Sequence, residues 1–164
     1  MNSRVNGFSL VKARAAVVII ENDKIALIER YRSGQHYFVF PGGKVKSGES
    51  PIGAAAREAE EELGLKVMIG ALVAEIGYLG ASQYYFLADP ISGQFGNGDG
   101  SEMKSLPDSE KGSYHPLWMA MDEIQNIPLL PKIMAEYIVQ SYKEGWRENP
   151  LKAFDDSPDD IVSD

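Results

Sequence analysis

Three glutamates follow a glycine turn in this chain at a spacing that could hold a divalent cation. They lie in the segment from Gly42 to Leu65, GGKVKSGESPIGAAAREAEEELGL. Ser50 is a good N-cap, Pro51 suits the first helical position, and Gly64 can end a helix in a left-handed cap. The segment therefore predicts a short helix that begins after Ser50 and ends at Gly64.

The helix has an apolar stripe at helical spacing, which predicts the face that packs on the core. Taking Ile52 as zero, Glu61, Glu58 and Glu62 fall at roughly 180°, 240° and 280° around the helix axis. We therefore expect these three carboxylates to cluster on the open side, away from the core. Glu60 falls on the other side of the stripe and is expected to be a solvated surface residue. The residues of the stripe are Ile52, Ala55, Ala56, Ala59 and Leu63.

Carboxylates held this close repel one another and raise each other's pKa, and a bound cation removes that cost. Hard oxygen ligands suit Mg²⁺ or Mn²⁺, which accept phosphate oxygens as further ligands. The alternative is an ordinary solvated face of an amphipathic helix. The full spacing of the segment favours the metal site.

The segment resembles the Nudix box, G-x5-E-x7-R-E-U-x-E-E-x-G-U, where U is a bulky aliphatic residue. One position departs from the pattern: Ala59 is smaller than the usual aliphatic residue, which predicts looser packing and intact chemistry. The matching positions are Gly43, Glu49, Arg57, Glu58, Glu61, Glu62, Gly64 and Leu65.

The resemblance implies a role for each box residue. Glu58, Glu61 and Glu62 would hold the metal, joined by the backbone carbonyl of Gly42. A pair between Arg57 and Glu49 would brace the loop against the helix, and Gly43 and Gly64 would support the box. A metal-bound water is then the nucleophile, with a carboxylate completing its deprotonation.

By resemblance, the chain is expected to be a Mg²⁺-dependent pyrophosphohydrolase, with Mn²⁺ as an alternative ion. Its substrate would be a small molecule, a nucleoside diphosphate linked to a group X. Nucleoside triphosphates, oxidised purine forms included, lead the candidates. The alternative is a non-catalytic Nudix domain that binds nucleotide as a sensor, although such a domain has no need of three repelling carboxylates.

Composition favours an enzyme without thiol chemistry. The chain has 164 residues, no cysteine and two histidines, which excludes a disulfide framework, a thiolate zinc site and a histidine-rich metal site. No long apolar run occurs, so we expect a cytoplasmic protein with no membrane contact. A net charge of −8 without a basic stripe disfavours nucleic acid as a partner. The oligomeric state stays open, with a homodimer as one alternative.

One domain is expected over residues 1–154, followed by an acidic, disordered tail over residues 155–164. Residues 13–20 and 24–29 are predicted to pair as a hairpin. The order β-β-β-α-β-β-β-α predicts an α+β fold with a mixed sheet between helices, which agrees with the α/β/α sandwich that the resemblance implies. The other predicted elements are strands at 37–40, 67–78, 83–88 and 115–120 and a helix at 131–142.

Residues 90–114 are rich in glycine and predict a long flexible loop, a feature typical of functional lids. Glu102 and Glu110 are its candidates for a further carboxylate or general base; the alternative is that the base lies in the box, at Glu58 or Glu61.

Substrate contacts are the least determined part of the site. Arg30, Arg32 and His36 precede the box, and Arg32 is the main candidate for a phosphate contact. Gly43 is a candidate through its backbone. Tyr84 and Tyr85 are the candidate faces on which a base would stack, with a core position as the alternative.

Overall fold

Two mixed β-sheets lie between helices in this computed structural model, which describes residues 12–155. The helices are α1 (Pro51–Leu63) and α2 (Lys132–Glu144). Short 3₁₀ turns occupy Ser101–Lys104 and Met121–Asn126. The strands are β1 (Lys12–Val18), β2 (Ile20–Glu21), β3 (Lys24–Arg32), β4 (Gln35–Val39), β5 (Gly42–Lys44), β6 (Leu65–Tyr78), β7 (Ala81–Gly93), β8 (Ser113–Ala120), β9 (Leu129–Leu130) and β10 (Leu151–Asp155).

The first sheet has the order β10-β6-β7-β1-β5, with β1 parallel to β7 and β10 parallel to β6. In the second sheet the order is β2-β3-β4-β9, and β8 pairs with β3. One core cluster joins the sheets to α2, and the other packs against α1. The predicted fold class is confirmed, with two mixed sheets in place of the single one expected.

Strand β1 passes between the two core clusters. Ala15 and Val17 pack in the α1 cluster, whereas Ala16 and Val18 pack in the α2 cluster. A strand with both faces buried carries a continuous apolar run, as this one does.

The predicted hairpin between residues 13–20 and 24–29 holds only next to its turn. Ile20–Glu21 pairs back onto Lys24 and Ile25, and the Ala26 N–H donates to the Ile19 carbonyl, whereas β1 pairs with β5 and β7. The apolar run is long enough for two strands, and its first part is more fully buried in the middle of the other sheet.

Helix α1 begins and ends as its sequence predicts. The Ser50 hydroxyl accepts a 3.0 Å hydrogen bond from the Gly53 N–H, and Gly64 has a φ of 79°. The orientation of the helix differs from the prediction. Ile52 is 54% exposed, whereas Glu58 and Glu62 are only 7% and 4% exposed.

Three short strands, β5, β9 and β10, and one end of the domain went unpredicted, and β5 lies where a glycine turn was expected. β9 has two residues and β10 has five, too short for a periodic pattern. Asp155, expected to open the tail, ends β10, and its carboxylate accepts a 3.1 Å hydrogen bond from the Ile133 N–H. The rest of the predicted tail lies outside the described residues. Among residues 12–155, no helix has the length and apolar character needed to cross a membrane.

Candidate active site

The site is built where α1 packs against the edge strand β5. Gly42 and Gly43 lie opposite Ala16 and Ala15 of β1. Gly43 faces α1, and a Cβ at this position would collide with the carboxylate of Glu58. A glycine is therefore required for this close approach of strand and helix.

Side chains of α1 satisfy the outer edge of β5 in place of another strand. The Gly42 N–H donates a 3.0 Å hydrogen bond to Oε1 of Glu62, and the Lys44 carbonyl accepts one of 2.9 Å from Nη2 of Arg57. In this antiparallel register the N–H and C=O of one residue point to the same side. The Gly42 carbonyl therefore points to the same edge as its N–H.

Arg57 joins the loop after β5 to the carboxylates of the helix. Its Nε and Nη2 donate to the two carboxylate oxygens of Glu49 at 2.8 and 3.0 Å, while Nη1 lies 2.9 Å from Glu58 and 3.4 Å from Glu61. The hydrogen bond from Arg57, with one from the Lys46 N–H, lowers the pKa of Glu49 to about 2. The hydrogen bond to Glu49 in turn raises the pKa of Arg57. This bidentate geometry is the strong form of the arginine–carboxylate interaction.

The three box carboxylates do not share one open face, and that prediction is corrected. Glu58 and Glu62 are buried in the seam between α1 and β5, and Glu61 has a side chain 32% exposed. Helix α1 packs through Ala54, Ala55, Ala59 and Leu63, and these small residues allow the helix to approach the sheet closely with the glutamate side of the stripe turned inward.

Burial is the main cause of the raised pKa values of Glu58 and Glu62. Desolvation raises the pKa of Glu58, against the opposing effect of Arg57. Desolvation and the charge of Glu58 raise the pKa of Glu62 well above its usual value, although the Gly42 N–H opposes them. Glu60 is exposed on the far side of the helix, as predicted.

Glu102 is brought to these carboxylates by the segment after β7. The Gly96 N–H donates to the Leu63 carbonyl at 2.9 Å, and the Gly100 N–H donates to the Glu61 carbonyl at 3.0 Å. The charge of Glu102 contributes to the raised pKa values of Glu58 and Glu62, so its carboxylate lies within electrostatic reach of both.

The prediction of a long flexible loop is therefore corrected in its first half. Strand β7 extends to Gly93, and residues 94–100 close the C-terminal end of α1, whose last carbonyls need partners. Glu110 is exposed, and its carbonyl accepts from Nε of Arg32 at 3.2 Å.

Similarity to known proteins agrees with this geometry. The NUDIX domain family matches residues 11–140. The chain belongs to the Nudix family.

A curated relative is the uncharacterized Nudix hydrolase YvcI of Bacillus subtilis (strain 168), 28% identical over an alignment of 123 residues that covers 70% of this chain and 69% of that protein. The fold is similar to that of an ADP-ribose pyrophosphatase from Streptococcus suis 89-1591, with a TM-score of 0.60, 21% identity and coverage of 88% of this chain and 98% of that one. A structure from a study of MutT in Aliivibrio salmonicida and Vibrio cholerae has a TM-score of 0.61 and 22% identity, and covers 79% of this chain and 98% of that one.

Membership of the Nudix family makes the chain a hydrolase of phosphoanhydride bonds, and the family acts on small nucleotide derivatives. Nudix hydrolases generally use divalent cations. Within residues 12–155, no three His, Cys, Asp or Glu side chains already converge as a metal site. Instead, Arg57 contacts Glu58 and Glu61, and the Gly42 N–H holds Glu62.

The donor set nevertheless fits a divalent cation. Glu58 and Glu62 are two buried carboxylates whose burial opposes ionisation, the charge of Glu58 adds to that cost at Glu62, and a cation would remove it. With Glu61 and the Gly42 carbonyl, the Nudix box offers only hard oxygen ligands, the kind that Mg²⁺ and Mn²⁺ prefer.

The candidate base-stacking residues differ in exposure. Tyr85 is 1% exposed, packs edge-on against Phe40 and donates a 2.9 Å hydrogen bond to Oε1 of Gln83. Burial also raises the pKa of the Tyr85 hydroxyl. Tyr85 therefore cannot offer a face to a base, and that prediction is wrong. Tyr84 is half-buried beside the α1 cluster, so part of its side chain is accessible.

The basic residues before the box differ in their availability to a substrate: Arg30 is buried, His36 is beside Glu29, and Arg32 is partly exposed. Arg30 is 1% exposed, stacks 3.7 Å over the ring of Tyr114, and donates through Nε to the Ser113 carbonyl. His36 lies 2.6 Å from Glu29. Arg32 is half-buried, with the Glu110 carbonyl as one of its partners.

One neighbour of the carboxylates was missed by the sequence analysis. The charge of Arg14, on β1, lowers the pKa of Glu62 against the larger effect of burial. A signal was present, because Arg14 is the one charged residue in the apolar run of residues 13–20.

Proposed function

We propose that this Nudix protein is a Mg²⁺-dependent pyrophosphohydrolase that cleaves a phosphoanhydride bond in a nucleoside diphosphate linked to X. Nucleoside triphosphates, including those with oxidised purines, are the leading substrates. One observation carries the proposal: Glu58 and Glu62 are buried together at the edge of β5, beside Gly42. A pair of buried carboxylates is costly unless a cation joins it.

In this proposal, the carboxylates of Glu58, Glu61 and Glu62 and the carbonyl of Gly42 hold the cation. When bound, the cation would lower the pKa of a water molecule and neutralise charge that builds on the phosphoryl oxygens. Mn²⁺ is an alternative ion with the same oxygen preference.

Arg57 and Glu49 position this machinery. Their bidentate pair fixes the loop after β5 to the helix, and the third nitrogen of Arg57 restrains Glu58 and Glu61. Gly43 gives Glu58 its space, and Gly64 turns the chain out of the helix at the far end.

Glu102 supplies the general base in this proposal. It lies within electrostatic reach of Glu58 and Glu62 without belonging to the cation site, so its carboxylate is available to accept a proton from the attacking water. Glu110 is the weaker candidate, because its segment is tied to Arg32.

The part of the substrate that does not contact the cation would lie beside the box. Tyr84 offers a partly accessible aromatic side chain, and Gly43 and Arg32 are further candidate contacts. ADP-ribose joins the candidates for NDP-X, since one structural neighbour bears the name of an ADP-ribose pyrophosphatase. We place the reaction in the cytoplasm, where such nucleotides are plentiful.

A substrate panel tests the proposal. Purified protein would be incubated with Mg²⁺ and with nucleoside triphosphates, 8-oxo-purine triphosphates, nucleotide sugars, dinucleoside polyphosphates and ADP-ribose, and phosphate and pyrophosphate release would be measured. We expect turnover of at least one compound that stops when EDTA is added. Tight nucleotide binding without turnover of any compound would instead favour the sensor domain.

A further inference from the structure

A pair of cations lies on β1 and β5, and β5 is the strand whose edge borders the carboxylates. Arg14 of β1 is directly opposite Lys44 of β5 and, on its other side, Gln83 of β7. Residues paired in this way project their side chains to the same face of the sheet. Alternation along β1 places that face on the side of Ala16, away from α1, which Ala15 faces.

Among the described residues, neither cation has a direct partner for its side chain, and Arg14 interacts with Glu62 only through the electrostatic effect of its charge. Within the part of the chain that the structure describes, the side chains of Arg14 and Lys44 have no hydrogen bond or close ion pair. Arg14 is half-buried, whereas Lys44 is exposed. Like charges directly opposite each other on two strands are unfavourable, and an anion between them would reverse that effect.

The pair also lies next to the catalytic machinery. Lys44 is two residues after Gly42, the residue that holds Glu62. Arg14 is close enough to Glu62 for its charge to act on that carboxylate. A diphosphate with one phosphate at the carboxylates would therefore bring its other phosphate towards Arg14 and Lys44.

We propose that Arg14 and Lys44 form a subsite for the phosphate that does not lie at the carboxylate site. This inference rests on the proposed function, because it assigns the second phosphate of the same substrate. Arg14 would offer the two-pronged hydrogen bonds that a guanidinium makes to phosphate, and Lys44 would add a point charge. The pair would raise affinity for a diphosphate over a monophosphate.

Binding of inorganic pyrophosphate tests this subsite without requiring turnover. Titration calorimetry would give its Kd for the wild type, Arg14→Gln, Arg14→Lys and Lys44→Gln, with Mg²⁺ and with EDTA. Lys66→Gln is the matched control, because Lys66 is exposed on β6 and the change removes the same charge. Circular dichroism would establish that each variant is folded.

We expect Arg14→Gln to raise the Kd for pyrophosphate at least about tenfold, the usual size of a charge-assisted contact. Arg14→Lys should be intermediate, Lys44→Gln smaller, and Lys66→Gln close to wild type. Affinity for inorganic phosphate should change less than affinity for pyrophosphate.

A contrary result would give Arg14 a different role. If Arg14→Gln is folded and binds pyrophosphate as the wild type does, while its Mn²⁺ affinity changes, Arg14 is only a counter-charge for Glu62 and the subsite is overturned. Absence of pyrophosphate binding by the wild type also overturns it. The proposed function fails separately, in the substrate panel, if the wild type hydrolyses nothing.

Discussion

Oε1 of Glu62 accepts a 3.0 Å hydrogen bond from the backbone N–H of Gly42, so one carboxylate joins the C-terminal end of α1 to the edge of β5. The bond uses only one oxygen of the carboxylate. The charge of Glu62 and its role as a hydrogen-bond acceptor can therefore be separated by mutation.

Glu62→Gln should fold and lose most activity. The glutamine carbonyl can still accept from Gly42, whereas the negative charge needed for the cation is gone. We expect kcat/KM to fall at least about a hundredfold, a typical size for one electrostatic group at an active site. Steady-state hydrolysis of the best panel substrate would measure the loss. Glu60→Gln, on the exposed side of α1, is the control and should be nearly silent. Normal turnover of Glu62→Gln at saturating Mg²⁺ would refute its assignment as a ligand.

Mg²⁺ or Mn²⁺ should stabilise the wild-type protein. A ligand that binds only the folded state at a hundred times its Kd adds about 2.7 kcal/mol of stability by mass action. Thermal unfolding with EDTA and with increasing metal would show a rising Tm. The rise should be much smaller for Glu62→Gln than for Glu60→Gln. A Tm that ignores millimolar concentrations of both metals, with and without nucleotide, would contradict a shared carboxylate site.

The Glu49–Arg57 pair should make stability depend on pH in the acid range. The pKa of Glu49 is lowered in the folded protein from 4.5 to about 2. Its stabilising effect is therefore complete above the unfolded pKa and is lost as the pH falls through the folded one. Denaturant unfolding of wild type and Glu49→Gln should show a difference in free energy that is largest near pH 6 and shrinks between pH 4.5 and 2. A difference that is constant or grows on acidification would be the opposite of this expectation.

Gly43→Ala should damage both stability and metal binding. The added methyl group would overlap the Glu58 carboxylate, which is buried between β5 and α1 and would have to shift. Overpacking of this kind typically costs about 1–3 kcal/mol. Chemical denaturation would measure the first effect and Mn²⁺ titration the second. Wild-type values in both measurements would show that Glu58 can move without consequence.

Glu102→Gln should lower kcat with little change in KM. If Glu102 accepts the proton of the attacking water, the deficit should shrink as pH rises, because hydroxide replaces the missing base. A pH profile from 6 to 9 would show this convergence. Glu110→Gln is the matched control from the same segment. If both variants keep full kcat across the range, the base lies in the box, at Glu58 or Glu61.

The helix that carries the box residues, and the two ends of that helix, could be predicted because they depend on local chemistry. Ser50 and Gly64 act on the backbone within a few residues of themselves, so their effects are present in the sequence. The depth of Glu58 and Glu62 could not be predicted in this way. It depends on how closely α1 approaches β5, which is set by Gly43 and by alanines that have little hydrophobic signal of their own.

The pairing of strands that are distant in the sequence could not be predicted either. The run at residues 13–20 predicted a strand correctly, but its partners are more than 20 residues away. Nothing local distinguishes a strand that pairs with its neighbour from one that enters another sheet. The role of Arg14 was missed for the same reason, since its proximity to Glu62 exists only after β1 has paired with β5.

The two halves of the segment between β7 and β8 differ in what they support. Gly96 and Gly100 hold the last carbonyls of α1, the helix that carries the carboxylates. Residues 105–109 make hydrogen bonds with one another, through Ser105, Leu106 and Ser109, and with Glu102 and Gly112 on either side, but make none with the described residues of α1. Sequence exchanged or inserted in this second half would leave α1 and its glutamates in place. We therefore expect that changes in residues 105–109, beside the proposed site, can alter the range of substrates without altering the hydrolysis itself.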